Sequence, residues 1–531
     1  MPEADNGEAA AAFWAGRVAQ SPNRPVLEYD GQSWTYAEAD LAADELMAII
    51  RAAGLRPGSR IGVLLPSSAA HVLVTIAVIK AECVIVPLVP NSTDAELAYT
   101  LRASRAHALI TDQRGWDRLD AAMTVVDLAM GQRAGLAGTT VPELLLAVAP
   151  ALQEREPENG RGALAPAFLL YTSGSTGTPK GAVLPSGAHS SAGRAWASGV
   201  GLTSSAVLGC VLPIQYAGPM LMQLGGVIAA GARLVLWPGF HASSFWEDSD
   251  GAGATHAVLP FAVASILCLA PERPEDRAHT LRSVSGDRFP AGFARRFGIS
   301  VQSTWAMTEL AGMGTITSVS DTGDFNGRIG RPSPPTALIE VRNAAGRRCP
   351  TGQRGEIWFR HPHTLLGYFD DEQATGQVKR DGWVRSGDLG HFDERGELYF
   401  DARIKNVIKR SGSNIAAEEV EQVLRAHPNV VDCVVLGVDD PIRGEEVHAL
   451  LQCRGDRLDP ARLAEHARPA GLSLWKFPRY LQQVADLPRI PSGKVDRRSA
   501  ARLLDRSAAI DFGEGVTRYN AAVRPATRGD G

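Results

Sequence analysis

Residues Tyr171 to Gly181 read Y-T-S-G-S-T-G-T-P-K-G and follow the apolar run A-F-L-L. Glycines 174, 177 and 181 let backbone N–H groups come close to an anion, five Ser/Thr hydroxyls add donors, and Lys180 adds a positive charge. That chemistry suits a polyphosphate. The segment is not a P-loop, which places its lysine directly after the second glycine at a helix start; here Pro179 precedes the lysine and Gly181 follows it. A flexible Ser/Gly linker would need neither the preceding strand nor the T-P-K-G ending. Only seven of the 54 basic residues are lysines (Lys80, Lys180, Lys379, Lys405, Lys409, Lys476 and Lys494), which predicts that lysine is kept where it is needed.

Further blocks follow: S-G-D-R-F-P at 285–290, W-A-M-T-E at 305–309, G-E-I-W-F-R with G-Y at 355–368, W-V-R-S-G-D at 383–388, R-I-K-N at 403–406 and P-S-G-K at 491–494. In identity and order these blocks resemble the motifs of the adenylate-forming superfamily, in its acyl-CoA synthetase (acid–thiol ligase) branch, over about residues 30 to 500. The resemblance implies an ATP-dependent ligase that makes an acyl-AMP and pyrophosphate from a carboxylic acid, then passes the acyl group to coenzyme A. ATP, Mg2+ and coenzyme A are the implied cofactors.

Joining a carboxylate to a phosphate brings two anions together, so charge neutralisation and alignment must dominate catalysis. By resemblance, Thr172, Ser173, Gly174, Ser175, Thr176, Gly177, Thr178 and Lys180 would hold the β- and γ-phosphates, Thr308 the α-phosphate and Glu309 the magnesium. Gly286, Asp287, Trp305 and Ala306 would line the adenine slot, Asp388 would accept the ribose hydroxyls, and Arg403 would sit beside it. Lys494 matches the catalytic lysine that bridges carboxylate and α-phosphate. Lys405 falls at the hinge about which the small domain turns between half-reactions, and Gly412 belongs to the loop expected to line the thiol tunnel.

Three positions depart from the family pattern. Where acyl-CoA synthetases carry P-x-x-H-x-x-G, the chain reads P-I-Q-Y-A-G, which places Gln215, Tyr216 and Gly218 at the acyl pocket. Ala306 and Ser285 each stand where glycine is usual. These departures allow a ligase with an unusual acid, or one that has lost adenylation and accepts a preformed acyl-AMP. No carboxylate stands ready for a substrate ammonium, so an amino acid is disfavoured, and Pro213, Ile214, Met220 and Leu221 suit a hydrophobic or cyclic acid. An amide synthetase using an amine acceptor is the nearest alternative. A non-catalytic nucleotide-binding protein is the alternative of another class.

The elements that must carry these residues alternate. From Arg60 the pattern predicts a strand, a helix over 67–81, a strand (C-V-I-V-P-L), a helix over 94–104 and a strand (H-A-L-I-T), with Ser or Asp at the helix starts. A second such region spans about 200–320. Together they predict α/β subdomains built on parallel sheets, with ligands gathered at loops beyond the strand ends. Beyond about 325, short strands separated by Gly and Pro predict an antiparallel subdomain. The expected division is a large domain over 1–403, a small mobile α+β domain over 404–508 and a flexible tail over 509–531.

A length of 531 residues requires more than one domain. Hydrophobic content of 45% and charge of 21% place the chain among ordinary globular proteins. A net charge of −4 without a polybasic run argues against nucleic acid as a partner. The six dispersed cysteines read as free buried thiols rather than a metal or redox site. An acidic N-terminus and the charges Lys80 and Glu82 inside the most apolar stretch predict neither export nor a membrane span, hence a cytoplasmic enzyme. Monomer and homodimer are both left open.

Overall fold

The computed structural model describes residues 7–120, 129–134, 144–148, 162–172, 179–320, 325, 327–410, 413–440, 443–455, 459–467, 472, 476–490 and 493–512. They form two compact units. The first holds residues up to 340 with 358–386 and 396–398; the second holds 341–357, 387–395 and 399 onward. This division does not coincide with the expected cut after Arg403, because contacts group 341–357 and 387–395 with the later part of the chain.

In the first unit, strands Arg60–Leu64, Val84–Pro87 and Ala108–Thr111 run parallel, with Ile61 facing both Ile85 and Ala108 in register. The crossover helix Ala69–Lys80 is buried over its whole length except Lys80, which explains why its sequence is apolar on every side. Ser68 caps it by accepting the His71 N–H. The next helix, Asp94–Ala103, opens with a capping box between Thr93 and Glu96. The same sheet continues into strand Pro166–Thr172, which pairs antiparallel with Lys180–Pro185.

A second sheet of the first unit lays Arg233–Leu236, Val207–Cys210, His256–Val258, Ser283–Gly286 and Ser300–Ala306 side by side, all parallel. The direction reverses at the next strand, Gly314–Ile316, where Gly314 pairs with Ala306. A Cβ at residue 314 would lie 1.9 Å from the Trp305 carbonyl oxygen, so only glycine lets the backbones close at this reversal.

The second unit contains an α+β core. Helix Ala417–Arg425 presents Val420 and Leu424 to a sheet in which Val430–Asp440 pairs antiparallel with Gly444–Cys453 and Tyr480–Val484 runs parallel to the latter. The flexible tail expected from 509 starts too early. Ile510–Asp511 pairs with Tyr480–Leu481, Phe512 is buried, and Arg479 holds Asp511 at 3.0 Å. Residues 513–531, the rest of that expected tail, lie outside the described residues.

Among the described residues no helix is long and apolar enough to cross a membrane. All six cysteines are free; Cys268 and Cys453 are half-buried and the other four buried. Lysine is not reserved for chemistry. Lys80 pairs with Asp40 and Asp44, Lys379 donates to the Leu365 carbonyl at 2.7 Å, and Lys476 holds Glu419 at 2.5 Å.

Candidate active site

The first unit gathers a charged cluster from three segments. The chain leaves one strand at Thr172 and returns at Lys180, and these residues face each other in register, so the expected phosphate loop is closed at its base. Ser173, Gly174, Ser175, Thr176, Gly177 and Thr178 themselves lie outside the described residues. Strand Gly367–Tyr368 pairs with Val183 and Ala182 on the other edge of the Lys180–Pro185 strand. The Leu365 N–H donates to the Glu309 carbonyl at 2.8 Å, which brings in the short turn Thr308–Leu310.

These backbone ties set four side chains together. Tyr368 Oη donates to Glu309 Oε1 at 2.6 Å, with the glutamate buried. Burial, followed by the Glu309 charge, pushes the Tyr368 phenol above its usual range, so it stays a donor. Lys180 Nζ lies 5.7 Å from the Tyr368 ring centre and 3.6 Å from Asp371 Oδ2. Asp371 Oδ1 also accepts the Ala374 N–H and caps the helix Glu372–Val378. Thr308, half-buried, precedes Glu309 in the turn. Sequence motifs contained Tyr368 without a role for it, and gave no signal for Asp371, whose relation to Lys180 exists only once the strands pair.

Mg2+ takes one or two carboxylates together with phosphate oxygens and waters. A buried glutamate oriented by a phenol, whose ring centre lies 5.7 Å from Lys180 Nζ, fits that demand. Glu309 would hold the ion, which when bound would neutralise phosphate charge.

Gly286 is buried, and a Cβ there would meet the Leu259 carbonyl oxygen at 2.3 Å. Asp287 is exposed and its carboxylate accepts the Phe261 N–H at 3.0 Å, at the start of helix Phe261–Leu269. Ser303 and Thr304 donate to the carbonyls of Asp287 and Gly286, which fastens this segment to the strand that carries Trp305 and Ala306.

In the second unit, Asp388 is fully buried and faces a fork from Arg403: Nε lies 2.7 Å from Oδ1 and the second nitrogen donates to Oδ2 at 3.4 Å. A carboxylate offers about four acceptor sites, so such pairing leaves capacity for ribose hydroxyls. Glu418 accepts the Arg403 N–H and the Asn406 side-chain N–H, and so clasps the turn Ile404–Asn406 that contains Lys405. Lys405 is exposed as a residue, yet partial burial of its ammonium, with the cations Arg403 and Arg497, lowers its pKa against the pull of Asp388 and Glu418. Gly412 lies outside the described residues, between the paired strands Val407–Arg410 and Ser413–Ala416. Lys494 is exposed and ends a turn in which the Ile490 N–H donates to its carbonyl at 2.9 Å.

The sequence pattern of the AMP-binding enzymes matches residues 14–369, and that of the AMP-binding enzyme C-terminal domain matches 419–494. The chain belongs to the AMP-binding enzymes. It is 31% identical to a sulfoacetate–CoA ligase of Cupriavidus necator, over 92% of this chain and 96% of the relative. It is 30% identical to a feruloyl-CoA synthase of an Amycolatopsis species, over 90% of this chain and 96% of that one. Among solved structures it resembles the amide bond synthetase McbA from Marinactinospora thermotolerans, with TM-score 0.80 and 26% identity over 93% of this chain and 100% of that chain. The expected adenylate-forming family, mixed α/β fold and AMP-forming acid–CoA ligase class, with ATP, Mg2+ and coenzyme A, are borne out.

In this AMP-binding enzyme the residues around Trp305 enclose a small recess. It is bounded by Trp196 and Ala192, Met222, Trp305, Met313 and Thr315. Gly218 opens the wide-turned helix Gly218–Leu224 that brings in Met222. Gln215 is buried, and its Oε1 finds no hydrogen-bond partner among the described residues. Tyr216 is half-buried, and burial pushes its phenol up to about 12, which keeps it neutral.

Proposed function

We propose that this enzyme activates a hydrophobic or cyclic carboxylic acid as its acyl-AMP and transfers the acyl group to coenzyme A. The observation that carries the choice of acid is the uncharged lining around Trp305, where Trp196, Met222 and Met313 gather with Thr304 and Thr315 beside the strand that leads through Ala306 to Thr308 and Glu309. A lining without charge favours an uncharged acyl body, and neutral Gln215 and Tyr216 offer hydrogen bonds without a charge. In this reading Lys180 and the 173–178 loop draw the β- and γ-phosphates, Thr308 bonds the α-phosphate, and Glu309 holds Mg2+. Asp388 and Arg403 take the ribose, and Lys494 aligns the attacking carboxylate with phosphorus. Rotation about Lys405 would then exchange Lys494 for the loop containing Gly412 before the thiol attacks. The enzyme works in the cytoplasm, without nucleic acid, as monomer or homodimer.

The likeness to an amide bond synthetase keeps an amine acceptor as a second reading. The test assays the half-reactions separately: ATP–pyrophosphate exchange over a panel of hydrophobic acids, and product formation from synthetic acyl-AMP with coenzyme A or with amines. Exchange together with thioester formation supports the proposal. Amide formation without thioester overturns the acceptor, and thioester formation without exchange on any acid overturns the activation step.

A further inference from the structure

The turn that bears Lys494 is closed by an antiparallel bridge between Arg489 and Val495, and Val495 packs against the cluster that holds Val434 and Leu450 of the second unit's sheet. Gly493, at φ +82°, donates its N–H to the Ile490 carbonyl at 2.8 Å, so the turn itself has local closure. Arg489 adds a polar long-range tie. One guanidinium nitrogen donates to the Gly493 carbonyl at 3.1 Å and the other to Asp432 Oδ2 at 2.8 Å. Asp432 is buried in strand Val430–Asp440, and its Oδ1 accepts from Arg425 Nε at 2.7 Å and from the Cys433 N–H at 2.8 Å. Arg425 in turn holds Glu421 of helix Ala417–Arg425 at 3.1 Å. The peptide preceding Lys494 is therefore linked through the planar fork of Arg489 to a buried carboxylate that Arg425 and the Cys433 N–H also hold.

We propose that Arg489 is a positioning residue for Lys494, acting through the Gly493 carbonyl and Asp432, a role that rests on the reading of Lys494 as the adenylation lysine. Planarity is the reason for arginine here. Its two N–H directions meet two acceptors at once, whereas a lysine delivers one point charge. The angle at which the exposed Lys494 leaves the turn depends on the backbone on both sides of it, the Val495 bridge after it and the Gly493 carbonyl that Arg489 grips before it.

The test uses the full-length enzyme with an acid that it activates, and compares R489A, R489K, K494A and the double variant R489A/K494A. A displacement of about 1 Å at an aligning group can cost about 10²-fold. R489A should therefore lower the turnover of ATP–pyrophosphate exchange by about 10–100-fold, with the KM for ATP nearly unchanged. Thioester formation from synthetic acyl-AMP and coenzyme A should stay at the wild-type rate. R489K should fall between R489A and the wild type. The decisive result is the double variant, which should be no slower in exchange than K494A alone, since a residue acting only through Lys494 has nothing left to position. Multiplying losses in the double variant, equal loss of both half-reactions, or an unchanged R489A would each overturn the proposal. If R489A does not fold, R489K and R489K/K494A carry the same comparison. K494A with intact exchange would instead overturn the reading of Lys494, a failure that is visible in that single variant.

Discussion

Tyr368 donates its phenolic proton to the buried Glu309 carboxylate at 2.6 Å, although 59 residues separate them in sequence. The bond exists because strand Gly367–Tyr368 pairs with Val183 and Ala182 while the Leu365 N–H grips the Glu309 carbonyl. A partner that orients a metal-binding carboxylate is worth about 10–100-fold in metal affinity. Tyr368→Phe should therefore raise the Mg2+ concentration for half-maximal ATP–pyrophosphate exchange by about tenfold, with thioester formation from synthetic acyl-AMP unaffected. A Mg2+ titration with the same midpoint in variant and wild type would show that the phenol does not serve the metal.

Lys494→Ala should separate the two half-reactions. Loss of a preorganised charge contact costs on the order of 10²–10³ in rate, and that loss should fall on acyl-AMP formation while transfer from synthetic acyl-AMP to coenzyme A is largely kept. Equal loss in both assays would contradict the division of labour.

The parts of this molecule legible in its sequence were those whose cause is local. Helices Ala69–Lys80 and Asp94–Ala103 appear within two residues of expectation, although their caps are Ser68 and Thr93, and Asp94, expected at the helix start as a cap, is the first helical residue. Asp388 and Arg403 were readable because their motifs are short, and the structure does bring them into a forked pair. What was missed is non-local. Strand Ile510–Asp511 has no periodicity to detect, being two residues long, and is made by its register with Tyr480–Leu481 and by the Arg479–Asp511 ion pair. Asp371 carries no motif, and only strand pairing sets it 3.6 Å from Lys180. The grouping of 341–357 with the second unit likewise follows from contacts that span long stretches of chain.

The second unit's buried ion network sets a stability prediction. Arg425, with a nearly buried side chain, holds Asp432 at 2.7 Å and Glu421 at 3.1 Å, while its nitrogen also donates to the Cys433 carbonyl at 2.6 Å. Removing one member of a buried network leaves charge uncompensated, at about 3–5 kcal/mol. Arg425→Met should cost roughly 3 kcal/mol, the low end of that range, because Arg489 still serves Asp432 and Arg497 still serves Glu421. Urea unfolding followed by a probe in the second unit checks it, and a change below about 1 kcal/mol would mean that the remaining arginines suffice.

His71 and His189 make the first unit sensitive to acid. Both are almost completely buried, and burial lowers each imidazole to about 4, with the Leu65 carbonyl only partly opposing this at His71. An unfolded histidine titrates near 6.5. Between those values the unfolded chain binds more protons than the folded one, so the stabilising contribution is complete above about pH 6.5 and is lost as the pH falls toward 4. At pH 5 the loss is roughly 2 kcal/mol for each of the two residues. Unfolding free energies measured at pH 7 and pH 5 should therefore differ clearly before most carboxylates protonate. In His189→Gln one titrating group is gone, so the drop between the two pH values should shrink by roughly 2 kcal/mol whatever the variant's stability at pH 7. An identical drop in variant and wild type would mean that His189 takes up its proton without unfolding the core between Phe13 and Phe168, whose rings lie 5.9 and 5.8 Å from it.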